Sequence, residues 1–325
     1  MSFVCYHTFY KGLDPPVPVT VGYDAPTSLA PVLAALDAPQ FVHSGNWWNI
    51  DPAKRTPRAV LDGQLRFLNG HTAGFMSTNV QPGNDPKYWT KEEIDETYLE
   101  TCLANAEWAK DELEASGTNV PVYCTLQPAN EAAAQKWFQR AIDAGHRDLG
   151  MGVSEFLRYP AHRSEGTRRI LEITHAVGGL FGEGQGRFHL SGLTSFNLIP
   201  VVAALGATSV DGSTPVQSAL AYGTVFLPSG KGVQASKLGQ VIATGGWSCT
   251  CPACARKSSD EVLDGFKESR TRVRHNVSIW QVLVDRINRE ILPDPAGWCE
   301  RNQKELPTAS KKYWKMASDM AGWNQ

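Results

Sequence analysis

Short apolar runs alternate with longer amphipathic segments along most of the chain. The short runs are rich in β-branched and aromatic residues and border on Gly, Pro, Asn or Ser, which is typical of strands that end in turns. They predict strands at residues 17–22, 40–43, 73–79, 120–126, 148–153, 187–191 and 207–210. The amphipathic segments carry apolar residues at helical spacing and predict helices at residues 28–36, 91–116, 129–144, 167–177 and 198–205.

Strand and helix therefore follow each other at intervals of about 20 to 30 residues, the pattern of successive βα units around a parallel sheet. About eight such units fit before Cys249, so the predicted fold is α/β, a (β/α)8 TIM barrel. We expect residues 1–245 to form the barrel and its catalytic mouth. Residues 246–325 are expected to form a zinc-binding segment and C-terminal helices, near 273–291 and 309–320, that pack on the barrel.

Composition and charge are those of an ordinary globular protein. The 325 residues are 42% hydrophobic and 20% charged with a net charge of −2, which argues against a disordered chain. Residues 249–325 carry 13 Lys and Arg against 10 Asp and Glu, so this part is positive and the remainder is negative. A nucleic acid is therefore a partner that the charge allows but does not require.

Cysteine usage and the N-terminal sequence indicate a reducing compartment. Seven cysteines is an odd number, and those at positions 5, 102, 124 and 299 show no spacing typical of a disulfide framework. The first residues lack a charged segment followed by an apolar run, and no stretch approaches the roughly 18 apolar residues of a membrane span. We expect a cytoplasmic protein without a membrane partner.

The most specific motif is the cluster Cys249, Cys251 and Cys254, followed by His275. Three thiols within six residues and an imidazole 21 positions later make a compact Cys3His set, which can close a tetrahedral zinc site. Four protein ligands leave no open position for water, so we expect a structural Zn²⁺ rather than a catalytic one. The alternative is that these are reduced thiols that pack as small hydrophobic side chains.

Polar residues follow several predicted strands, where α/β barrels place their chemistry. They are His43, Asn79, Gln127, Gly150 and Asp211, with the carboxylates Asp51, Asp85, Glu155 and Glu183 nearby in the sequence. Asp211 is the strongest candidate, because it follows an apolar run and precedes Gly-Ser-Thr-Pro. A carboxylate fixed by a rigid strand can attack an electrophilic sugar carbon. Alternatively, each of these is a turn or helix-cap residue, and Asp211 begins an Asx-type turn.

The order of these residues resembles the tRNA-guanine transglycosylase family. Gln127, the turn at 150–152, the segment 188–192 (FHLSG) and Asp211 precede the CxCxxC and His elements at distances similar to those of that family. The resemblance covers about residues 37–290, and its CxCxxC…H element is specific. It implies a zinc-bearing (β/α)8 barrel that exchanges guanine in a polynucleotide for a 7-deazaguanine.

By this resemblance, Asp211 is the nucleophile that attacks C1′ of the nucleotide and forms a covalent aspartyl-glycosyl intermediate. The incoming base then displaces Asp211, so the bond energy is retained and no ATP is needed. The resemblance also implies that Gln127 hydrogen-bonds the edge of the base. The backbone of Gly150, Met151 and Gly152 is expected to approach the base closely, where a side chain would not fit.

Two positions depart from the family pattern. Its Asp-Ser-Gly-Gly segment matches His43-Ser44-Gly45-Asn46, so a histidine stands where the family has its general-base aspartate. Histidine can still accept a proton near neutral pH, and the alternative is that His43 is a hydrogen-bonded histidine of the barrel. The family's second base-reading aspartate falls at Asn79, whose amide offers one acceptor and one donor group.

The chain is also shorter than the usual tRNA enzymes and shows no added RNA-binding domain after the barrel. These departures resemble the DNA-directed branch of the family, the DNA-guanine transglycosylases of phages and bacterial DNA-modification clusters. The favoured function is therefore exchange of guanine in DNA for a 7-deazaguanine such as preQ0, in the cytoplasm of a bacterium or a phage-infected host. The alternative within the family is queuosine- or archaeosine-type modification of tRNA.

Two further features suggest contacts with the polynucleotide. The cations of a basic segment before His275 are Lys267, Arg270, Arg272 and Arg274. We expect them to follow a phosphate backbone, and the alternative is a solvated helix face. Trp47 and Trp48 lie close to His43 in the sequence and are expected to stack on a flipped base or its neighbour, the alternative being core aromatics.

Two other classes of function are open at this point. The first is a nucleic-acid-binding zinc subunit that has lost catalysis, which the loss of the family carboxylates at His43 and Asn79 favours. The retained Asp211 and Gln127 favour an enzyme. The second is a hydrolase that removes guanine, in which water rather than a base resolves the intermediate.

Overall fold

The computed structural model describes residues 2–11, 13, 16–45, 55–80, 88–90, 96–158, 160–181, 186–302 and 304–323. Several side chains singled out in the sequence lie outside these residues. They are Asn46, Trp47, Trp48, Asp51, Asp85 and Glu183. The predicted stacking of the two tryptophans on a base therefore stays a prediction.

Eight parallel strands close into a barrel in the order in which they occur along the chain. They are β1 (Val4–Thr8), β2 (Val19–Gly22), β3 (Gln40–His43), β4 (Thr72–Met76), β5 (Val122–Thr125), β6 (Asp148–Gly152), β7 (Arg187–Ser191) and β8 (Ser209–Gly212). The barrel closes where β1 pairs with β8, in a register that sets Tyr6 opposite Asp211. The predicted TIM barrel is confirmed.

Helices connect the strands and cover the outside of the sheet. Up to the last strand they are α1 (Ala30–Ala34), α2 (Pro57–Leu65), α3 (Thr97–Ala115), α4 (Glu131–Asp143), α5 (Ser154–Arg158), α6 (Arg163–Leu180) and α7 (Ile199–Ala204). In α3 the buried face includes Tyr98, Cys102, Ala106 and Leu113, which recur at helical spacing. This stripe packs in the core and carries no site, because its side chains contact the sheet and neighbouring helices.

The N-terminal strand β1 is the main element that the sequence pattern did not single out. Its sequence, VCYHT, alternates weakly, since Cys5, Tyr6 and His7 are all buried in the structure. A strand buried on both faces has no polar side to produce a period of two. The helix α2 and the later hairpin were likewise not among the predicted elements.

The inside of the barrel is filled by aromatic side chains. Tyr6, Phe41, Met76 and Tyr123 form one buried cluster, and the ring of His189 packs against Phe41 with 4.2 Å between ring centroids. At the amino ends of β6 and β7, Asp148 pairs with Arg187. This layer fills the interior towards the amino ends of the strands, and the side chains at their carboxyl ends face the opposite end of the barrel.

The chain after β8 wraps one side of the barrel. It forms α8 (Thr214–Ala221), an antiparallel hairpin of β9 (Thr224–Phe226) and β10 (Gly232–Gln234), and then α9 (Leu238–Ala243), α10 (Ser259–Gly265), α11 (Ser269–Arg286), α12 (Pro295–Asn302) and α13 (Thr308–Ala321). Asn276 ties α11 to this region, since it bonds Phe226 N and the carbonyls of Pro215 and Thr224. A short π-helical segment, Ile287–Ile291, extends α11.

A small apolar cluster surrounds the cysteine motif. It includes Cys251, Cys254 and Phe266 together with Val225 and Leu238. The cluster therefore joins residues on both sides of position 245, where the sequence analysis placed a boundary. Among the residues that the structure describes, no helix combines the length and the apolar character needed to cross a membrane.

Candidate active site and metal centre

A cavity of about 320 Å³ opens at the carboxyl ends of the strands. Its volume lies near the lower end of the range for small-molecule pockets, about 300–1,000 Å³. It is lined by Thr8, Thr20, His43, Ser44, Gly45, Met76, Asn79, Gly152, Ser154, Glu155, Ser191, Gly192, Thr194, Asp211, Gly212, Ser213 and Gln217. The structure thus brings the predicted residues His43, Asn79, Gly152 and Asp211 together in one cavity.

Asp211 is fixed from two directions. Its Oδ1 accepts the backbone N–H of Gly192 at 2.6 Å, and its Oδ2 accepts the hydroxyl of Thr20 at 3.2 Å. Gly192 reaches this position with φ +81°, and a Cβ added there would lie 2.7 Å from Ser154 Oγ. A glycine is therefore needed at position 192 for both the backbone conformation and the space.

The surroundings of Asp211 keep it ionised although it is only 3% exposed. Burial alone raises the pKa of a carboxyl group. Interactions with His189, His43 and the Gly192 N–H outweigh burial, and they lower the pKa of Asp211 to about 2. The carboxylate at the floor of the cavity is consequently available as a nucleophile over the ordinary pH range.

His189 lies beside this carboxylate inside the barrel. Residues at alternate positions of a strand face the same side, and His189 on β7 faces inward between the outward-facing Phe188 and Leu190. Its Nε2 lies 3.7 Å from Asp211 Oδ2, and its Nδ1 lies 2.9 Å from the hydroxyl of Ser209. In the sequence this histidine stands out only as part of the segment FHLSG.

His43 lines the same cavity at the end of β3. Its Nδ1 accepts the backbone N–H of Gly45 at 3.0 Å, so the neutral ring carries its proton on Nε2. Burial lowers the pKa of His43, an effect only partly offset by the charges of Asp211 and Asp24. In this arrangement the lone pair that a general base needs is already engaged, and the ring presents a donor. The predicted role as general base stays a prediction.

Asn79 is held by a buried arginine that the sequence analysis did not identify. Arg55, 8% exposed, donates to the backbone and side-chain oxygens of Asn79 and to the carbonyls of Ser44 and Gly45. Because arginine has only donors, the carboxamide oxygen of Asn79 must face it. The amino group is therefore the part of this side chain that remains for a ligand. Burial lowers the pKa of Arg55 from its ordinary value.

Gln127 does not line the cavity but supports one of its walls. Its Nε2 donates to the carbonyl of Gly152 at 2.6 Å, and its Oε1 accepts the N–H of Gly152 at 3.1 Å. Both polar groups of the carboxamide are thus used on the backbone of one residue, Gly152. Such a pair fixes the end of β6, and the predicted contact between Gln127 and a base edge stays a prediction.

The other two residues of the predicted glycine turn, Gly150 and Met151, face opposite sides of the sheet. A Cβ on Gly150 would lie 3.3 Å from Thr125 Oγ1 inside the barrel. The side chain of Met151 belongs to the apolar cluster between the strands and the outer helices. Only Gly152 reaches the cavity, where Glu155, 4% exposed at the start of α5, also lines the wall. Any ligand contact at Met151 would therefore involve its backbone.

The four predicted metal ligands form one compact group. Cys249, Cys251, Cys254 and His275 place their ligand atoms within 4.8 Å of one another. His275 Nδ1 lies 3.8, 3.3 and 3.3 Å from the three sulfurs in that order. A tetrahedral zinc with bonds of about 2.3 Å to sulfur and about 2.0 Å to nitrogen would set these atoms about 3.6 Å apart. The group thus fits a metal ion, and its donor set is that of structural zinc sites.

The surroundings of His275 orient it for this role. Its Nε2–H donates to the carbonyl of Phe226 at 2.6 Å, which leaves Nδ1 with a lone pair directed at the thiols. The ring stacks on Trp247 with 5.3 Å between centroids, and Phe266 packs against its edge. A metal here would join the loop 249–254 to α11 and, through Phe226, to the hairpin.

The four cations of the basic segment before His275 have different surroundings in the structure. Arg272 donates to the carbonyls of Ala219, Phe266 and Lys267, so its guanidinium joins the ends of two helices. Lys267 is exposed and pairs with Asp264 at 2.8 Å. Arg270 is exposed and Arg274 half-buried on α11. Contacts of these four residues with a polynucleotide stay a prediction, and Arg272 has a structural role in addition.

Comparison with known proteins adds no further identification. No protein-family model matches the chain, and no curated protein is significantly similar to it. The chain is therefore described by its own structure: a closed barrel of eight parallel strands with a C-terminal Cys3His group. This combination is consistent with the transglycosylase family but not specific to it.

Three polar residues next to Asp211 or Asn79 were not predicted from the sequence. Thr20 and His189 are interior residues of strands, and Arg55 precedes α2. An interior polar residue on an otherwise apolar strand, such as His189 in RFHLS, was the available signal for one of them. Nothing local to Arg55 distinguishes it from an exposed arginine, since its partners lie up to 24 positions away.

Proposed function

We propose that this protein is a guanine transglycosylase that exchanges guanine in DNA for a 7-deazaguanine such as preQ0. One observation carries the proposal: Asp211 is ionised, held by Gly192 and Thr20, and set at the floor of a cavity at the carboxyl end of the barrel. A carboxylate in this setting is the group that an aspartyl-glycosyl mechanism requires.

The reaction would proceed in two half-reactions at C1′ of a flipped nucleotide. A carboxylate oxygen of Asp211 forms a bond to C1′ while the C1′–N9 bond breaks and guanine leaves with the electron pair. The incoming base then forms its own bond to C1′, and the electron pair of the ester returns to Asp211. The leaving purine takes up one proton and the incoming base gives up one, so water suffices as the carrier.

The Cys3His group would hold a Zn²⁺ that stabilises the fold beside the barrel. With four protein ligands, such an ion has no position for substrate, so its contribution is structural. The residues that would contact the base are those lining the cavity, among them Asn79, His43, Gly152 and Glu155. The preference for DNA over tRNA rests on the resemblance described above.

A nucleic-acid-binding subunit without catalysis is the second candidate. It is favoured by the engagement of His43 Nδ1 with Gly45 and of Gln127 with Gly152, because neither side chain then presents the group expected of it. The intact setting of Asp211 favours the enzyme.

A base-exchange assay tests the proposal. Purified protein is incubated with labelled guanine or preQ0 and with either duplex DNA or unmodified tRNA, beside the variants Asp211→Ala and Asp211→Asn. Incorporation into DNA that requires Asp211 supports the proposal. Incorporation into tRNA alone supports the tRNA enzyme, and binding without exchange on either substrate supports the subunit.

A further inference from the structure

A buried histidine faces the candidate nucleophile from inside the barrel. His189 is 0% exposed, and within the described part of the chain its Nε2 has no partner at hydrogen-bonding distance. The nearest acceptor that the structure gives it is Asp211 Oδ2 at 3.7 Å. Burying a polar atom without a hydrogen-bond partner costs folding free energy. The position of His189 Nε2 facing the carboxylate therefore requires a physical reason.

The contacts of His189 favour one placement of its proton. The ring packs against the rings of Phe41, Tyr6 and Tyr123, which fix its orientation in the barrel. The Nε2 of a neutral ring directs either an N–H or a lone pair at the carboxylate, and only the N–H is attracted to the negative charge. The hydroxyl of Ser209, 2.9 Å from Nδ1, can donate to that nitrogen and so supports the tautomer with its proton on Nε2.

We propose, resting on the function proposed above, that His189 is a positioning residue for Asp211: an imidazole whose Nε2–H orients Oδ2 and stabilises the charge that returns to this oxygen when it leaves C1′. The two oxygens of Asp211 are held unequally. Oδ1 accepts a short bond of 2.6 Å from Gly192, whereas Oδ2 has longer contacts of 3.2 Å to Thr20 and 3.7 Å to His189. Oδ2 therefore keeps the more available lone pair and is the oxygen that forms the ester.

A long contact suits an oxygen that must first form a bond to C1′ and later leave it. When Oδ2 bonds to C1′ it loses its negative charge, and a strong hydrogen bond would oppose this step. When the incoming base displaces the ester, the electron pair returns to Oδ2, and a donor then stabilises the developing charge. His189 and Thr20 provide donors that strengthen in this second step without holding the free carboxylate too tightly.

The contact itself is tested by nitrogen-15 NMR of the histidine side chains, which needs no activity. The signals of His189 are assigned by their loss in His189→Gln. We expect Nε2 to carry a proton at pH 7, and its signal to shift in Asp211→Asn. A ring whose Nε2 carries no proton, or an Nε2 signal that is unchanged in Asp211→Asn, would each overturn the proposal.

The catalytic part is tested by trapping the adduct between protein and oligonucleotide and measuring how fast added guanine resolves it. Two variants form a matched pair, because a glutamine amide replaces Nε2 and an asparagine amide replaces Nδ1. His189→Asn should resolve the adduct about 10- to 100-fold more slowly than the wild type, so the adduct accumulates. His189→Gln should stay within about threefold of the wild type.

Equal resolution in wild type and His189→Asn, or equal slowing in both variants, contradicts the role of His189. A wild-type protein that forms no adduct on DNA or tRNA contradicts the proposed function instead, and with it the catalytic role. In that case the NMR result still decides whether the hydrogen bond between His189 and Asp211 exists. Far-ultraviolet circular dichroism of both variants shows whether they fold.

Discussion

Arg55 and Asn79 fix each other in one wall of the cavity, since the guanidinium donates to both oxygens of the asparagine. Because the orientation of the carboxamide follows from the donor-only chemistry of arginine, Asn79 presents its amino group to a ligand. A carboxylate at the same position would pair with Arg55 through one oxygen and present an acceptor through the other. The side chain at position 79 therefore sets the hydrogen-bonding character of this wall.

Asn79→Asp should accordingly change which purines the cavity prefers. Guanine carries a 2-amino donor that hypoxanthine lacks, so an acceptor at position 79 favours guanine. We expect the ratio of guanine to hypoxanthine affinity to rise by about tenfold in the variant, the effect of one hydrogen bond to a charged group. Calorimetric titration with the two free bases measures the ratio, with Asn79→Leu as the control that removes both groups. An unchanged ratio would show that this wall does not contact that edge.

Arg55→Lys should destabilise the protein despite retaining the charge. Arg55 bonds the oxygens of Ser44, Gly45 and Asn79 through a planar fork, and a lysine cannot reproduce this geometry. Leaving several of these buried acceptors without donors should lower the free energy of unfolding by about 2–4 kcal/mol. Urea denaturation measures the change.

The matched control for Arg55→Lys is Arg58→Lys. Arg58 is 57% exposed and pairs with Glu112 at the surface. We expect its substitution to change the free energy of unfolding by less than about 0.5 kcal/mol. Equal effects at the two positions would mean that the bonds of Arg55 do not hold the cavity wall.

The sequence predicted those features that depend on local pattern. Asp211 was placed correctly at the end of a strand, because an apolar run followed by turn residues is a local signal. The metal ligands were likewise brought together as expected, since three of them lie within one short loop. The parallel sheet follows from the alternation of helices and strands, and the barrel was predicted from the number of these units, about eight.

The contacts around these residues could not be predicted because they join distant parts of the chain. Thr20 reaches Asp211 across 191 positions, and Arg55 meets Asn79 across 24. The bonds between Gln127 and the backbone of Gly152 also depend on the register between neighbouring strands. The sequence pattern indicates which residues lie at strand ends. It does not indicate which of these residues form hydrogen bonds with one another.

His43 should make the protein sensitive to acid. Its pKa is lowered from the usual value, mainly by burial, so the folded protein resists a proton that the unfolded chain accepts. Stability from this residue is complete above the unfolded pKa and is lost as the pH falls through the folded one. Protonation of Nδ1 would also oppose the N–H of Gly45.

His43→Asn isolates this effect, because an asparagine oxygen can replace Nδ1 as an acceptor without titrating. Between pH 7.5 and pH 5.5 the wild type should lose more free energy of unfolding than the variant, as measured by urea denaturation. His7 and His146, whose pKa values are also lowered by burial, are present in both proteins and their effects cancel in the comparison. Equal losses would mean that His43 does not titrate in this range.

Metal removal should unfold the C-terminal part of the protein. We expect about one zinc per chain by elemental analysis, and its loss in Cys254→Ser with a drop in Tm of more than about 10 °C, since structural zinc sites contribute folding free energy directly. Cys299→Ser is the matched control, because Cys299 is buried but lies outside the metal group. A wild-type protein without metal, or a Cys254→Ser variant as stable as Cys299→Ser, would contradict the structural role.

Substitutions of Arg270 and Arg272 should have different effects, the first on nucleic-acid binding and the second on the stability of the fold. Arg272 bonds three backbone carbonyls, so Arg272→Ala should lower the free energy of unfolding by about 1–3 kcal/mol. Arg270 is exposed on α11, so Arg270→Ala should leave stability within about 0.5 kcal/mol of the wild type. If Arg270 contacts a phosphate, its removal weakens binding to any sequence and reduces the slope of log affinity against log salt by about 1. Fluorescence anisotropy with labelled DNA at several salt concentrations measures the slope, and an unchanged slope would place the polynucleotide on another face of the barrel.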